Sequence, residues 1–216
     1  MRTTRCPLKS ISAVALLGLS AVIDGCGRDA AGIVDTAAPA AAALAPATTA
    51  VPVVTDYSVY DLPSQWRNQR GDSLVLRTLA GRVQVVAMVY TNCKVTCPLV
   101  MGALKRIEGS LSAAQRDGVG FVLVSLDPER DTPGRLAEWA GQNRLDQTRW
   151  TLLAGSDDAV RELAATLDVR YQQQPDGEVA HTNGITVLDR TGALAHRQPS
   201  LEGTEKTARV VRALLE

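Results

Sequence analysis

Hydrophobic positions along this chain fall into two periods that alternate from one segment to the next. Arg82 to Tyr90 is a nearly continuous apolar run, the pattern of a strand buried on both faces of a sheet. Pro98 to Ser110 then spaces Leu99, Val100, Ala103, Leu104 and Ile107 as one face of a helix. Gly120 to Leu126 is a second buried strand. Thr132 and Pro133 open another helix, Thr132 as N-cap and Pro133 in the first helical position, with Leu136, Trp139 and Ala140 on the inner face. Trp150 to Ala154 is a short strand. Ser156 caps a helix that runs through Leu167, with Asp157 and Asp158 in the first turn, where the helix dipole favours acids. Val179 to Leu188 and Ala193 to Arg197 read as two strands joined by the turn Asp189-Arg190-Thr191-Gly192, and a helix from Thr204 to Leu215 closes the chain.

Strands separated by helices imply βαβ units and a largely parallel sheet. A final hairpin and helix add an antiparallel edge. The order βαβ then ββα is the thioredoxin plan: an α/β fold with a central mixed sheet flanked by helices. Residues 53–216 form this domain, with Tyr57 to Ala80 as an N-terminal extension packed on its core.

The pattern before residue 53 is of another kind. Arg2, Arg5 and Lys9 precede an apolar stretch from Ile11 to Ile23 that is short for a bilayer span, which predicts a secretory signal over residues 1–26. Ile23-Asp24-Gly25-Cys26 resembles a bacterial lipobox, so Cys26 is the predicted lipidation site and the domain a surface-anchored one. An ordinary cleaved signal or an uncleaved anchor would use the same residues differently. Residues 27–52, rich in Ala, Pro and Thr, bury too little apolar surface to fold alone and read as a spacer between membrane and domain. The predicted location is therefore exported, tethered to the bacterial membrane and facing the periplasm.

Composition narrows the chemistry. The 216 residues carry a formal net charge of zero, which gives no electrostatic case for a nucleic-acid partner. Aromatic residues make up 4%, with one Phe, so the core must be built from Val, Leu, Ala and Ile. The cysteines are Cys6, Cys26, Cys93 and Cys97. They are not spread as a disulfide scaffold would be, and the domain holds one close pair.

That pair follows the first buried strand, in Thr91-Asn92-Cys93-Lys94-Val95-Thr96-Cys97-Pro98. Residues four apart share a face if the loop winds into the helix. Free backbone N–H groups and the positive end of the helix dipole favour a thiolate there, and Lys94 adds positive charge. Low-pKa thiolates exchange disulfides and bind soft metals. A structural disulfide or two inert thiols would be the plain alternative. The histidines are His181, just before an apolar strand, and His196, on the last strand. Taken alone, each is more often a solvated or hydrogen-bonded residue than a ligand. Two thiolates and an imidazole would suit Cu(I) and could also hold Cu(II), whereas zinc normally takes a fourth ligand.

The CxxxCP loop, the string Asp127-Pro128-Glu129-Arg130-Asp131-Thr132-Pro133 after the second buried strand, and a late His before an apolar strand together resemble the Sco/SenC proteins. The resemblance spans roughly Tyr57 to Glu216. It implies a thioredoxin-like copper protein that delivers copper to the binuclear copper centre of cytochrome c oxidase, or keeps that centre's cysteines reduced. It implies Cys93, Cys97 and His181 as copper ligands, and Cys93 and Cys97 as a redox-active pair. His196 has no counterpart in the family's ligand set. The family usually has His where Asn92 stands, Pro-Asp where Lys94-Val95 stands, and Asp where Ala180 stands. The exchange makes the loop more positive and should favour thiolates and Cu(I). It also removes an acid that could orient His181. The acidic string itself reads as architecture: turn chemistry, a helix cap and internal ion pairs.

Four functions fit these residues. A metallochaperone needs the thiols and His181, whereas a thiol–disulfide oxidoreductase does not need His181. A peroxidase-like thiol enzyme needs a peroxidatic thiolate, and a redox or copper sensor would use the same groups.

Overall fold

The structure, a computed structural model, describes residues 57–216. The predicted signal, Cys26 and the spacer lie outside the described residues. The strands are β1 Gln65–Asn68, β2 Ser73–Val75, β3 Val83–Val89, β4 Val119–Ser125, β5 Trp150–Gly155, β6 Tyr171–Gln173, β7 Val179–His181, β8 Ile185–Leu188 and β9 Leu194–Gln198. The helices are α1 Thr96–Gly109, α2 Ala113–Asp117, α3 Pro133–Gln142, α4 Asp157–Thr166 and α5 Thr204–Ala213.

A seven-stranded sheet has the order β2-β1-β5-β4-β3-β8-β9. Strands β3, β4 and β5 are parallel, joined by crossovers through α1 and α3. The flanking strands β1 and β8 run antiparallel to β5 and β3. This is the mixed, helix-flanked thioredoxin-like sheet read from the sequence. Every residue of β3 and β4 is buried, which their unbroken apolar runs require. Phe121 and Trp150, register partners on β4 and β5, stack with ring centroids 4.6 Å apart. Helix α1 packs on β3 and against α5, while α3 and α4 pack on β5.

Thr132 and Ser156 cap α3 and α4 as predicted, each accepting the amide three residues on. In the β8–β9 turn the Asp189 carboxylate accepts the Thr191 and Ala193 amides. Three expectations are corrected. Tyr57 to Ala80 does not merely pack on the core, because Gln65–Asn68 joins the main sheet and Ser73–Val75 extends it. Helix α2 and strand β6 add to the predicted elements; both are short and polar and carry no periodicity that marks them.

The third correction bears on the site. Val179 to Leu188 is not one strand. Ile185–Leu188 pairs with β3, but Val179–His181 leaves the main sheet and pairs with β6 in a separate hairpin. The break falls at Thr182–Gly184. There the Thr182 amide and hydroxyl both bond the Arg170 backbone, at 2.9 and 3.1 Å, and turn the chain toward β6. Val179 is as buried as a main-sheet residue, so the apolar pattern reads the same on both sides of the break.

Candidate metal centre

The thiol loop is aimed by β3. This strand runs straight through the core and delivers Tyr90, Thr91 and Cys93 at its carboxyl end, where parallel sheets place their chemistry. Thr91 is fixed from below. Its amide donates to the Asp131 carboxylate at 3.1 Å and its hydroxyl donates to the same group, which also accepts the Ser125 hydroxyl at 2.5 Å. Asp131 is fully buried, so this one residue ties the ends of β3 and β4 together beneath the loop.

Helix α1 begins at Thr96 without a side-chain cap from Val95. Its free Cys97 amide points instead at the Cys93 sulfur, 3.3 Å away, and the Thr96 hydroxyl lies 3.2 Å from the same sulfur. Cys93 thus sits before the helix rather than on its face, and acts as an acceptor for the orphan N-terminal amide. Burial would raise its thiol. The Thr96 hydroxyl, the Cys97 and Val95 amides and the Cys97 thiol outweigh that and hold it at about 7. The predicted role of Lys94 is not what sets this value. Cys97 goes the other way: burial, the neighbouring Cys93 and buried Asp131 push its thiol well up, against a bond from the Tyr90 amide. Both are free thiols, Cys93 half-buried and Cys97 buried. Val95 and Leu99 beside them are exposed.

His181 closes β7. Its Nδ1 lies 3.2 Å from the Thr182 carbonyl oxygen, which can only accept, so Nδ1 carries the proton. Nε2 then keeps its lone pair, and it is buried with no hydrogen-bond partner among the described residues. Burial lowers the imidazole pKa, against the Thr182 bond, and keeps the ring neutral. That is the form in which an imidazole ligates. His196 Nε2 is likewise without a partner, but the ring sits on β9 beside Lys206, which adds to burial in lowering its pKa.

Tyr90 neighbours both halves of the site. Its ring meets His181 edge-on, with centroids 5.9 Å apart, and its hydroxyl donates to Glu178 at 2.6 Å. Burial, Glu178 and the Cys93 sulfur all push its phenol pKa up. The structure therefore brings Cys93 and Cys97 together and sets His181 against the Tyr90 ring. Among the described residues, no three His, Cys, Asp or Glu side chains are gathered closely enough to hold a metal ion.

The acidic string is architectural. Arg130 bonds Asp127 and also donates to the Gly177 carbonyl in the β6–β7 turn, while Gln173 donates to the Leu126 carbonyl at 3.2 Å. The string thus holds the histidine hairpin against the ends of β3 and β4. Nothing in the sequence pattern marks Tyr90 and Glu178 as site residues. Glu178 lies in a turn, and its link to Tyr90 spans 88 positions.

This geometry has known counterparts. The SCO1/SenC pattern matches residues 58–216, nearly all of the described chain. The chain belongs to the SCO1/SenC family. A SCO1 protein homolog of Bacillus subtilis is 28% identical over 145 residues, covering 66% of this chain and 75% of the relative. The crystal structure of a SCO1/SenC family lipoprotein from Bacillus anthracis is 24% identical with a TM-score of 0.65, over 73% of this chain and 96% of that one. ScoI of Bradyrhizobium japonicum, solved with copper bound, is 22% identical with a TM-score of 0.57, over 70% and 96%. Within the SCO1/SenC frame, the substituted Asn92 and Lys94 flank Cys93, and Ala180 is an exposed β7 residue paired with Gln172.

Proposed function

We propose that this SCO1/SenC protein is a copper-binding metallochaperone whose ligands are Cys93, Cys97 and His181. The observation that carries this is the buried His181 Nε2, neutral, correctly protonated for ligation and without a partner, in the same neighbourhood as two free thiols. Two sulfurs and one imidazole nitrogen are a soft donor set that suits Cu(I). The copper-bound relative supports the same reading. Copper is the cargo. Cys93, already ionised near neutrality and half-exposed, captures the ion; Cys97 gives up its proton on binding. His181 completes the site as the third ligand, from the end of β7 beside Tyr90.

Release by ligand exchange to a partner's own thiols or imidazoles reverses these steps. The proposed client is the copper-site subunit of cytochrome c oxidase or another copper protein. The proposed address is the bacterial membrane, facing the periplasm, through a lipid on Cys26. It is supported by the lipobox-like sequence and by the lipoprotein among the relatives. Cys26→Ser should then move the protein from the membrane to the soluble fraction.

A second reading has an observation of its own. A low-pKa, accessible Cys93 beside a buried, protonated Cys97 is the arrangement of an attacking and a resolving thiol. The protein would then reduce a client disulfide and leave with a Cys93–Cys97 disulfide. Titration of the reduced full chain with Cu(I) against a competing chelator separates the readings. Tight one-to-one binding, lost in Cys93→Ser and Cys97→Ser and weakened in His181→Ala, supports the chaperone. Weak binding indifferent to His181→Ala, with a readily cycled disulfide, leaves the reductase.

A further inference from the structure

The thiols and His181 sit on separate pieces of structure, and one side chain links them. Tyr90 directly follows the central strand β3, three positions before Cys93. Its ring is 3% exposed and its hydroxyl reaches Glu178, three positions before His181. The ring edge meets the imidazole itself. Glu178 is held in turn by the hairpin: its amide bonds Asp176 at 3.0 Å and its carbonyl accepts the Gln174 amide at 2.8 Å. The remaining tethers, from Arg130 to Gly177 and from Gln173 to Leu126, run to the β4–α3 side. Among the described hydrogen bonds, those of the Tyr90 hydroxyl, to Glu178 and from the Val179 amide, are therefore what join the histidine hairpin directly to the strand that carries the thiols.

We propose that Tyr90 and Glu178 are positioning residues for the third ligand: their hydrogen bond holds the β6–β7 hairpin over the thiol loop, within reach of which His181 must come. The role rests on the copper reading above and adds to it the residues that set the reach of His181. A hairpin of two three-residue strands has little stability of its own. Tethering it in the metal-free protein means less order remains to be lost when the imidazole binds. Removing the tether should weaken binding through His181 alone.

The experiment uses the reduced full chain and two readouts. Tyr90→Phe keeps the buried ring and removes the bond, Glu178→Ala removes the acceptor, and Glu178→Gln keeps one. Without metal, Tyr90→Phe and Glu178→Ala should speed amide hydrogen exchange across residues 171–181, and Glu178→Gln should stay near the parent. With Cu(I) and a competing chelator, the first two should bind about three- to tenfold more weakly, the size of one net hydrogen bond. In a His181→Ala background Tyr90→Phe should cost nothing further, since the tether acts only through that ligand. Unchanged exchange in Tyr90→Phe overturns the proposal, and so does an affinity loss that persists in the His181→Ala background. A parent affinity indifferent to His181→Ala instead overturns the copper reading, and with it any ligand for the hairpin to position.

Discussion

Four positions separate Cys93 from Cys97, but the two sulfurs live in opposite environments. Cys93 receives the amides and hydroxyl of an uncapped helix start, whereas Cys97 points into the core near Asp131. An alkylating reagent should therefore modify Cys93 first in the folded, reduced protein, with a rate that is half-maximal at about pH 7. Cys97 should react only on unfolding, which mass spectrometry of the labelled peptides would show. Thr96→Ala removes one bond to the thiolate and should raise the Cys93 midpoint by about one unit. The pair itself was plain from its spacing. Its asymmetry was not, because Lys94, the charge visible in sequence, is exposed, and the groups that act are backbone amides and a threonine hydroxyl. His181 was legible as a ligand only through family resemblance. The tautomer and the partnerless Nε2 depend on a contact with Thr182 and on burial, neither of which periodicity shows.

At the level of elements, strong periodicity and good caps make an element legible in the sequence, and short polar pieces lack both. Strands β3 and β4 and helices α1, α3 and α4 declared themselves by apolar runs or by cap residues. Strand β6, Tyr171–Gln173, has two glutamines and no apolar period, and β7 hid inside a longer apolar run. Their hairpin is held by side chains distant in sequence, which explains both misses. The acidic string was read as architecture, and its bonds fit that reading. Asp131→Ala would leave the Thr91 and Ser125 donors without their acceptor in the core, and should destabilise the protein by about 3 kcal/mol in urea denaturation. Gly177 has φ of +83°, and a Cβ there would stand 2.5 Å from the Arg130 guanidinium. Gly177→Ala should therefore loosen the hairpin turn more than the rest of the fold, seen as faster exchange confined to residues 171–181.

For the whole molecule, the thioredoxin-like plan followed from the order of periods, while the place of Gln65–Asn68 in the sheet did not, since antiparallel pairing with β5 joins segments some 85 positions apart. The titrating groups of the site give the reduced, metal-free protein a defined pH dependence of stability. The folded Cys93 thiol lies below its ordinary 9.0, so its contribution is present above that value and is lost as pH falls through about 7. The histidines, lowered from 6.5, act in the same direction: below that value the unfolded chain takes up protons that the folded one refuses. Cys97, raised from 9.0, reverses the sign in alkali. Urea denaturation of the reduced protein should therefore show stability rising from pH 5 to about 9 and falling above it, with the rise between about pH 7 and 9 lost in Cys93→Ser.

X-ray absorption at the copper edge of the Cu(I)-loaded full chain tests the central claim most directly, because it counts donor atoms without reference to any partner. Two sulfur donors and one nitrogen donor are expected, with the nitrogen lost in His181→Ala and a sulfur lost in either Cys→Ser variant. A shell of sulfur alone, or a nitrogen donor that survives His181→Ala, would contradict the assignment of Cys93, Cys97 and His181 as the copper site.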